Sequence, residues 1–260
     1  MPGRDDKYER GLGRNEANHR PLTPVGFLAR TAAIYPERIA VHDRERGYTY
    51  EAFYDRARRL ASALTKRGIE PGDTVSFMAP NSEPLLLAHF GVPMCGAVLN
   101  ALNYRLDAAT IAFILDHAET RILFTDREFS PVIAQALARL DRTITVIDID
   151  DPEAVGGEYL GEEEFEAFLA EGDPEFVWRE PDDEWDALAL NYTSGTTGNP
   201  KGVVYHPRGA FLNAMSNAMV FGVGRDAVYL WTLPMFHCNG WTSHWAVPGL
   251  GGGPGCRRSG

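Results

Sequence analysis

Short apolar runs alternate with longer amphipathic ones from residue 49 to beyond residue 225. Thr49 is placed to cap a helix in which Phe53, Ala57, Leu60, Ala61 and Leu64 fall on one face, and Gly68 can end it. After the turn EPGD, the run TVSFMA (residues 74–79) reads as a strand. A helix near residues 82–90 leads to a strand near 97–102. Asp107 caps a helix that carries Ile111, Ile114 and Leu115. RILFTD, TITVIDI, ALALNYT (187–193), GVVYH and AVYLWTLP read as further strands. SPVIAQALARL, EEEFEAFLA and a stretch ending near Val220 read as helices. Strand and helix in alternation argue for an α/β layered fold with much parallel sheet. No internal repeat or low-complexity tract interrupts the pattern.

The bulk properties narrow the class. A chain of 260 residues can bury a sizeable core as one large domain or two small ones. Its most apolar stretch, Pro84 to Leu102, is broken by His89, Pro93 and Asn100, so it reads as a buried helix and strand rather than a membrane span. The polar residues 1–20 read as a flexible leader with no signal peptide. Cys95, Cys238 and Cys256 form no CxxC pair, which suits a reducing cytoplasmic location. The net charge of −11 is concentrated: residues 150–186 hold 16 acids and one base, leaving 20 acids and 24 bases elsewhere. That segment is expected to be an acidic surface insertion. The near-neutral remainder tolerates an anionic ligand, and the absence of a basic patch with interleaved aromatics argues against nucleic acid.

Between two expected strands lies NYTSGTTGNPKG, residues 191–202. A phosphate cradle needs backbone N–H groups aimed at anionic oxygens, small side chains that let the backbone approach, hydroxyl donors and a mobile positive charge. Thr193, Ser194, Thr196 and Thr197 offer the hydroxyls, Gly195 and Gly198 the backbone, and Lys201 the charge. Better-known loops do not fit. A GxxxxGK[ST] loop fails because Pro200 stands at the second glycine and Gly202 follows Lys201. A GxSxG elbow fails at Tyr192. GVGRDA, residues 222–227, follows a helix and precedes a strand, the reverse of a dinucleotide fingerprint, and reads as a helix-ending turn.

YTSGTTGNPKG resembles the signature loop of the adenylate-forming superfamily, which includes acyl-CoA synthetases, luciferases and peptide-synthetase adenylation domains. YTYEAFYDRARRLASAL with GIEPGDTVSFMAPNS, then GAVLNALNYRLDAATIAFILDHAETRILFTD, and LWTLPMFHCNGW are similar to further parts of its N-terminal domain. The likeness spans roughly Pro21 to Leu250 and looks closest to medium-chain fatty-acid–CoA ligases and methylmercaptopropionate ligases. It implies a two-step reaction. A carboxylate attacks the α-phosphate of ATP to give an acyl-adenylate and pyrophosphate, and coenzyme A then displaces AMP. In that family the loop matched by Thr193–Lys201 closes over the β- and γ-phosphates, aided by magnesium. The match makes His237 a candidate catalytic residue. It puts Phe236, His237, Gly240 and Trp241 at the carboxylate pocket. MFHCNGW contains no Asp or Glu to face an ammonium, which argues for a non-amino acid substrate. His237, Cys238 and His244 are not expected to bind metal, since adjacent side chains in an extended segment diverge. Pro207 stands where close relatives carry a second histidine, and it is acceptable in the first turn of the next helix. An aryl-CoA ligase, a luciferase-like enzyme and a non-catalytic nucleotide-binding protein are the competing readings.

The resemblance also defines what is missing. A YGxTE-type motif for adenine and magnesium, a ribose-binding aspartate, a hinge and a C-terminal domain with a catalytic lysine are not found, so the magnesium site is incomplete in this chain. The stretch GLGGGPGCRRSG departs from the family in composition, as an out-of-frame reading of GC-rich DNA would. Residues 251–260 are therefore expected to be a tail outside the family, produced by frameshift or truncation. The expectations are an incomplete N-terminal domain of the adenylate-forming fold, weak ATP affinity, poor stability and no complete thioester formation by the isolated chain.

Overall fold

A computed structural model describes residues 10–193 and 198–256. In chain order the elements are α1 (Val25–Ile34), β1 (Ile39–Asp43), β2 (Arg46–Thr49), α2 (Tyr50–Lys66), β3 (Thr74–Met78), α3 (Glu83–Met94), β4 (Val98–Ala101), α4 (Ala108–His117), β5 (Ile122–Asp126), α5 (Ser130–Leu137), β6 (Thr145–Ile149), β7 (Glu163–Glu164), α6 (Phe165–Ala170), β8 (Ala189–Thr193), β9 (Lys201–Tyr205), α7 (Pro207–Val220), β10 (Val228–Leu230), α8 (Cys238–Trp241), α9 (Ser243–Gly249) and β11 (Gly253–Cys256). A seven-stranded sheet runs β7-β6-β5-β3-β4-β8-β9. All its pairings are parallel except the last, where β9 returns antiparallel to β8. A four-stranded sheet runs β10-β11-β1-β2, with β11 parallel to both neighbours and β1-β2 antiparallel. The α/β, parallel-rich layering expected from the alternation is the observed architecture.

Local chemistry explains the main elements. Thr49 Oγ1 accepts the Ala52 N–H, and Asp107 Oδ1 accepts that of Thr110, so both foreseen caps form. The foreseen face of α2 is buried from Phe53 to Leu64. α2 packs on α3 at close range. A Cβ at Gly91 would fall 2.7 Å from Leu60 Cδ2 and 3.0 Å from the Ala57 carbonyl, so only glycine permits this helix approach. β3 and β5 are buried throughout, as parallel strands covered on both faces should be. Phe77 and Phe124 stack between them at 4.3 Å, and Phe165 and Phe168 of α6 meet them edge-on.

Several boundaries differ from the sequence expectation. α3 continues past Phe90 to Met94, carrying Pro93 in its last turn. Pro93 has no N–H to offer the His89 carbonyl four residues back. That carbonyl instead accepts the indole N–H of Trp245 at 3.1 Å, so α9 fills a vacancy that a proline creates. The expected helix EEEFEAFLA is shorter: Glu163–Glu164 pair with β6 as β7, and only Phe165–Ala170 are helical. Asp148 draws the chain in just before this point, accepting the Leu160 and Gly161 N–H groups. AVYLWTLP is a strand only over Val228–Leu230, because Asn81 captures the backbone that follows. Within residues 150–186 Glu166 pairs with Arg56 of α2, Glu163 and Glu171 pair with Arg67 just after it, and Asp151 is buried against Arg44, while Phe165, Phe168 and Leu169 enter the core. Gly253–Cys256 form β11, inserted between β10 and β1. No helix among the described residues is long and apolar enough to cross a membrane.

Candidate functional site

β8 and β9 form a hairpin whose register sets Thr193 opposite Lys201 and Tyr192 opposite Gly202. Thr193 and Lys201 therefore stand at the neck of the loop, with Cα atoms about 5 Å apart as antiparallel partners are. Among the described residues Lys201 forms no ion pair, and it is solvent-exposed. Ser194, Gly195, Thr196 and Thr197 lie outside the described residues.

Beside the hairpin is a cleft of about 570 Å³. It opens at the carboxyl ends of the parallel strands β4 and β8, where ligands of α/β sheets sit. Thr193, Gly198, Phe236 and His237 all border it, together with Asn191 and Tyr205. None of its described lining residues is acidic. The described lining offers amide, hydroxyl and phenol groups and supplies no carboxylate for a magnesium ion, and no metal-ligating cluster occurs among the described residues. Burial pushes the Tyr192 and Tyr205 phenols upward, so both stay neutral, and the Tyr192 hydroxyl meets His117 Nδ1 at 2.7 Å outside the cleft lining.

Two buried asparagines hold the segment that carries Phe236 and His237. Asn81 donates to the Leu233 carbonyl at 2.9 Å and accepts the Met235 N–H at 2.8 Å. Asn191 donates to the Phe236 carbonyl at 2.8 Å. The Phe236 ring meets Tyr104 edge-on at 5.0 Å. Sequence reading gave neither asparagine a role. The available signal was a carboxamide within or just after an apolar strand, where an amide must find backbone partners.

Gly240 and Trp241 do not border the cleft. They belong to α8, which is a left-handed turn: φ is 49° at Cys238, 44° at Asn239, 53° at Gly240, 55° at Trp241 and 61° at Thr242. Four of these residues are not glycine, at a cost of about 1–2 kcal/mol each. Two asparagines of α7 hold the turn. Asn217 donates to the Trp241 carbonyl at 2.7 Å, and Thr242 Oγ1 donates to Asn213 Oδ1 at 2.7 Å. The Asn239-Gly240 pair is a turn signal that the sequence reading did not use. Gly240 is pressed on the Trp231 ring, where an added Cβ would come within 2.4 Å of Cη2. Gly240→Ala should therefore lower the unfolding free energy by about 1–3 kcal/mol, measured by urea denaturation. An unchanged urea midpoint would show that the turn gives way freely.

Beneath the turn the His89 and His244 rings lie 3.9 Å apart, both fully buried. His89 Nδ1 sits 2.8 Å from the Leu85 carbonyl and must carry its proton. Burial drives both pKa values down, that of His89 to about 4. His244 is thus a core residue against His89, whereas His237 and Cys238 border the cleft.

The family model "AMP-binding enzyme" matches residues 28–257. The acetate/butyrate–CoA ligase of Arabidopsis thaliana, described as peroxisomal, is 47% identical over 95% of this chain and 46% of its own length. The benzoate–CoA ligase of the same plant, also described as peroxisomal, is 44% identical over 94% of this chain and 43% of its own. The chain spans about half the length of the curated relatives it matches. Among solved structures, the inhibitor-bound N-terminal domain of FACL13 from Mycobacterium tuberculosis aligns with a TM-score of 0.74 and 27% identity, over 92% of this chain and 58% of that one.

Proposed function

Because this chain belongs to the AMP-binding enzyme family, we propose that it forms the phosphate-loop and carboxylate-pocket portion of an AMP-forming acid–thiol ligase. The reaction is activation of a non-amino carboxylic acid, a fatty acid in the first reading. The carboxylate oxygen attacks the α-phosphorus of ATP and pyrophosphate leaves. The thiol of coenzyme A then attacks the acyl carbon and AMP leaves.

The observation that carries this reading is one cleft bordered by both motifs, Thr193 and Gly198 from the first and Phe236 and His237 from the second. In the proposed assignment Thr193, Ser194, Thr196 and Thr197, the backbone of Gly195 and Gly198, and Lys201 bind the polyphosphate. Magnesium arrives with the nucleotide. His237 sits at the reacting carboxylate, and Phe236 packs along the acyl group. Gly240 and Trp241 shape the pocket through the turn they build. Asn81 and Asn191 fix where Phe236 and His237 stand. The absence of a described acid in the cleft disfavours an ammonium-bearing substrate. A second reading, an aryl acid, is favoured by the relative named for benzoate. Three free cysteines fit the cytosolic location expected from their spacing, and the relatives described as peroxisomal make the peroxisome the comparison for a fluorescent fusion.

The test is ATP–pyrophosphate exchange with acetate, butyrate, hexanoate, benzoate and glycine. It is run on this chain and on a fusion to the remaining half of the Arabidopsis acetate/butyrate–CoA ligase. Exchange driven by an aliphatic acid is expected in the fusion and not in the chain alone. Replacement of Lys201 by alanine should lower that exchange about 10-fold or more, in line with losing a charged contact to the leaving group. Exchange driven by glycine would overturn the substrate class, and ATP binding without any acid-dependent exchange would overturn the catalytic reading.

A further inference from the structure

β8 is tied down on both of its faces just before it enters the loop. Successive side chains of a strand point to opposite faces, so Asn191 and Tyr192 leave the strand in opposite directions. Asn191 donates to the Phe236 carbonyl at 2.8 Å on one face. On the other, the Tyr192 ring lies against its antiparallel partner Gly202, where an added Cβ would come 3.5 Å from Cζ. The Tyr192 hydroxyl then reaches His117 Nδ1, 2.7 Å away at the end of α4. Thr193 follows Tyr192 directly, and Lys201 directly precedes Gly202.

His117 stands on a firm post. Ile111, Ile114 and Leu115 of its helix are buried, and its ring stacks on Phe113 at 5.3 Å. Arg142 closes the helix end by donating to the Leu115 and Thr120 carbonyls, both at 2.7 Å. The hairpin has less to lean on. β9 ends the sheet, pairs with β8 alone and leaves Lys201, Gly202, Val203 and Val204 exposed. Open space flanks the Tyr192–His117 contact. The cleft of about 570 Å³ reaches Tyr192, and a second hollow, also about 570 Å³, is bordered by His117, Tyr192 and Gly202. α4 gives Thr110 and Ile114 to the cleft wall, and the hairpin gives Thr193 and Gly198. The contact bridges the two elements that carry these walls.

We propose that Tyr192 and His117 are positioning residues for the adenylation step: their hydrogen bond holds the neck of the hairpin, and with it Thr193 and Lys201, at a fixed distance from α4. The role rests on the phosphate-loop reading; the contact itself rests on geometry alone. Neither side chain takes part in a chemical step. The hydrogen bond lies at the surface, so its loss should be felt at the neck rather than in global stability.

Three variants test this. Tyr192→Phe keeps the ring over Gly202 and deletes the hydroxyl. His117→Phe keeps the stack on Phe113 and deletes the hydrogen-bonding nitrogen. His117→Asn returns a hydrogen-bonding amide near the Nδ1 position. In this chain by itself, the backbone amides of residues 201–203 should exchange about 5-fold faster in the two phenylalanine variants, and not in His117→Asn, with the urea midpoint unchanged. In the fusion to the remaining half of the Arabidopsis ligase, the same two variants should lower kcat for acid-dependent ATP–pyrophosphate exchange about 10-fold, with the KM for the acid within about 2-fold. Combining Tyr192→Phe with His117→Phe should cost no more than either alone, and His117→Asn should recover most of the rate. Unchanged amide exchange in Tyr192→Phe overturns the proposal, as does a His117→Asn variant as slow as His117→Phe. A rate loss matched by a lower urea midpoint makes the pair merely structural and also overturns it. A fusion with no acid-dependent exchange at all overturns the adenylation reading and the positioning role with it, while the amide data, taken without nucleotide or acid, still decide whether the pair holds the hairpin.

Discussion

Arg56→Ala should lower the unfolding free energy by about 3–5 kcal/mol and the Tm by roughly 6–20 °C, followed by urea denaturation and calorimetry. Arg56 of α2 grips Glu83 at the start of α3 with two bonds, Nε to Oε1 at 2.8 Å and Nη2 to Oε2 at 3.0 Å. It also reaches Glu166 at the start of α6, so one guanidinium ties three helices. The Glu83 side chain is 2% exposed. Burial pushes its carboxyl above the ordinary carboxylate range, against the pull of the guanidinium. Removing the arginine leaves that carboxyl buried with nothing to compensate it, and this, rather than the net value of the pair, sets the size of the loss. The paired change Arg56→Leu with Glu83→Leu removes both charges and should recover most of the stability. Glu83 also receives help that survives the double change, because its backbone N–H donates to Asp43 Oδ2. A single-variant loss below about 1 kcal/mol, the range of exposed pairs, would show that the site is wetter than its burial implies.

Mild acid should be the second strong destabiliser. His89 and His244 stay neutral in the fold, His89 down to about pH 4 and His244 likewise well below its ordinary value. Around them Trp231 and Trp245 offer no charge, and the Leu85 carbonyl and Asn239 favour protonated His89 less than burial disfavours it. In the unfolded chain both imidazoles protonate near pH 6.5. Between roughly pH 6.5 and 4 the unfolded state therefore binds more protons, and stability falls as pH falls. Each histidine contributes about 1.4 kcal/mol per pH unit in that window. Together they make the protein roughly 3–4 kcal/mol less stable at pH 5 than at pH 7. His244→Phe should remove about half of that pH dependence in urea titrations at the two pH values. An unchanged pH dependence in the variant would place the acid sensitivity on other groups.

The fold was legible where one physical rule dominates. A capped amphipathic helix such as α2 announces its start at Thr49 and its buried face from Phe53 to Leu64. α3 is buried on all sides, so its apolar pattern has no phase and its end at Met94 could not be read. β7 exists because β6 offers an edge, which no local pattern in Glu163–Glu164 reveals. α1, β1 and β2 carry no assignment in the sequence reading; their short runs gain meaning only when β11 pairs with β1. The site divides similarly. Thr193, Gly198, Phe236 and His237 were named from motifs and meet at one cleft. The left-handed turn and the asparagines that hold it depend on contacts between residues far apart in sequence, such as Asn217 with Trp241.

The placement of β11 has a consequence for how the molecule is made. β1 pairs with β2 almost at once, but its other edge waits for β11, about 210 positions later, since His42 aligns with Gly255. At about 5–20 residues per second of synthesis, that edge stays open for roughly 10–40 s on the ribosome. The larger sheet can assemble β3 to β6 in that interval, while the β1–β2 hairpin is left as an unfinished template. Chaperone demand during translation should therefore concentrate on the first 50 residues rather than on the parallel core.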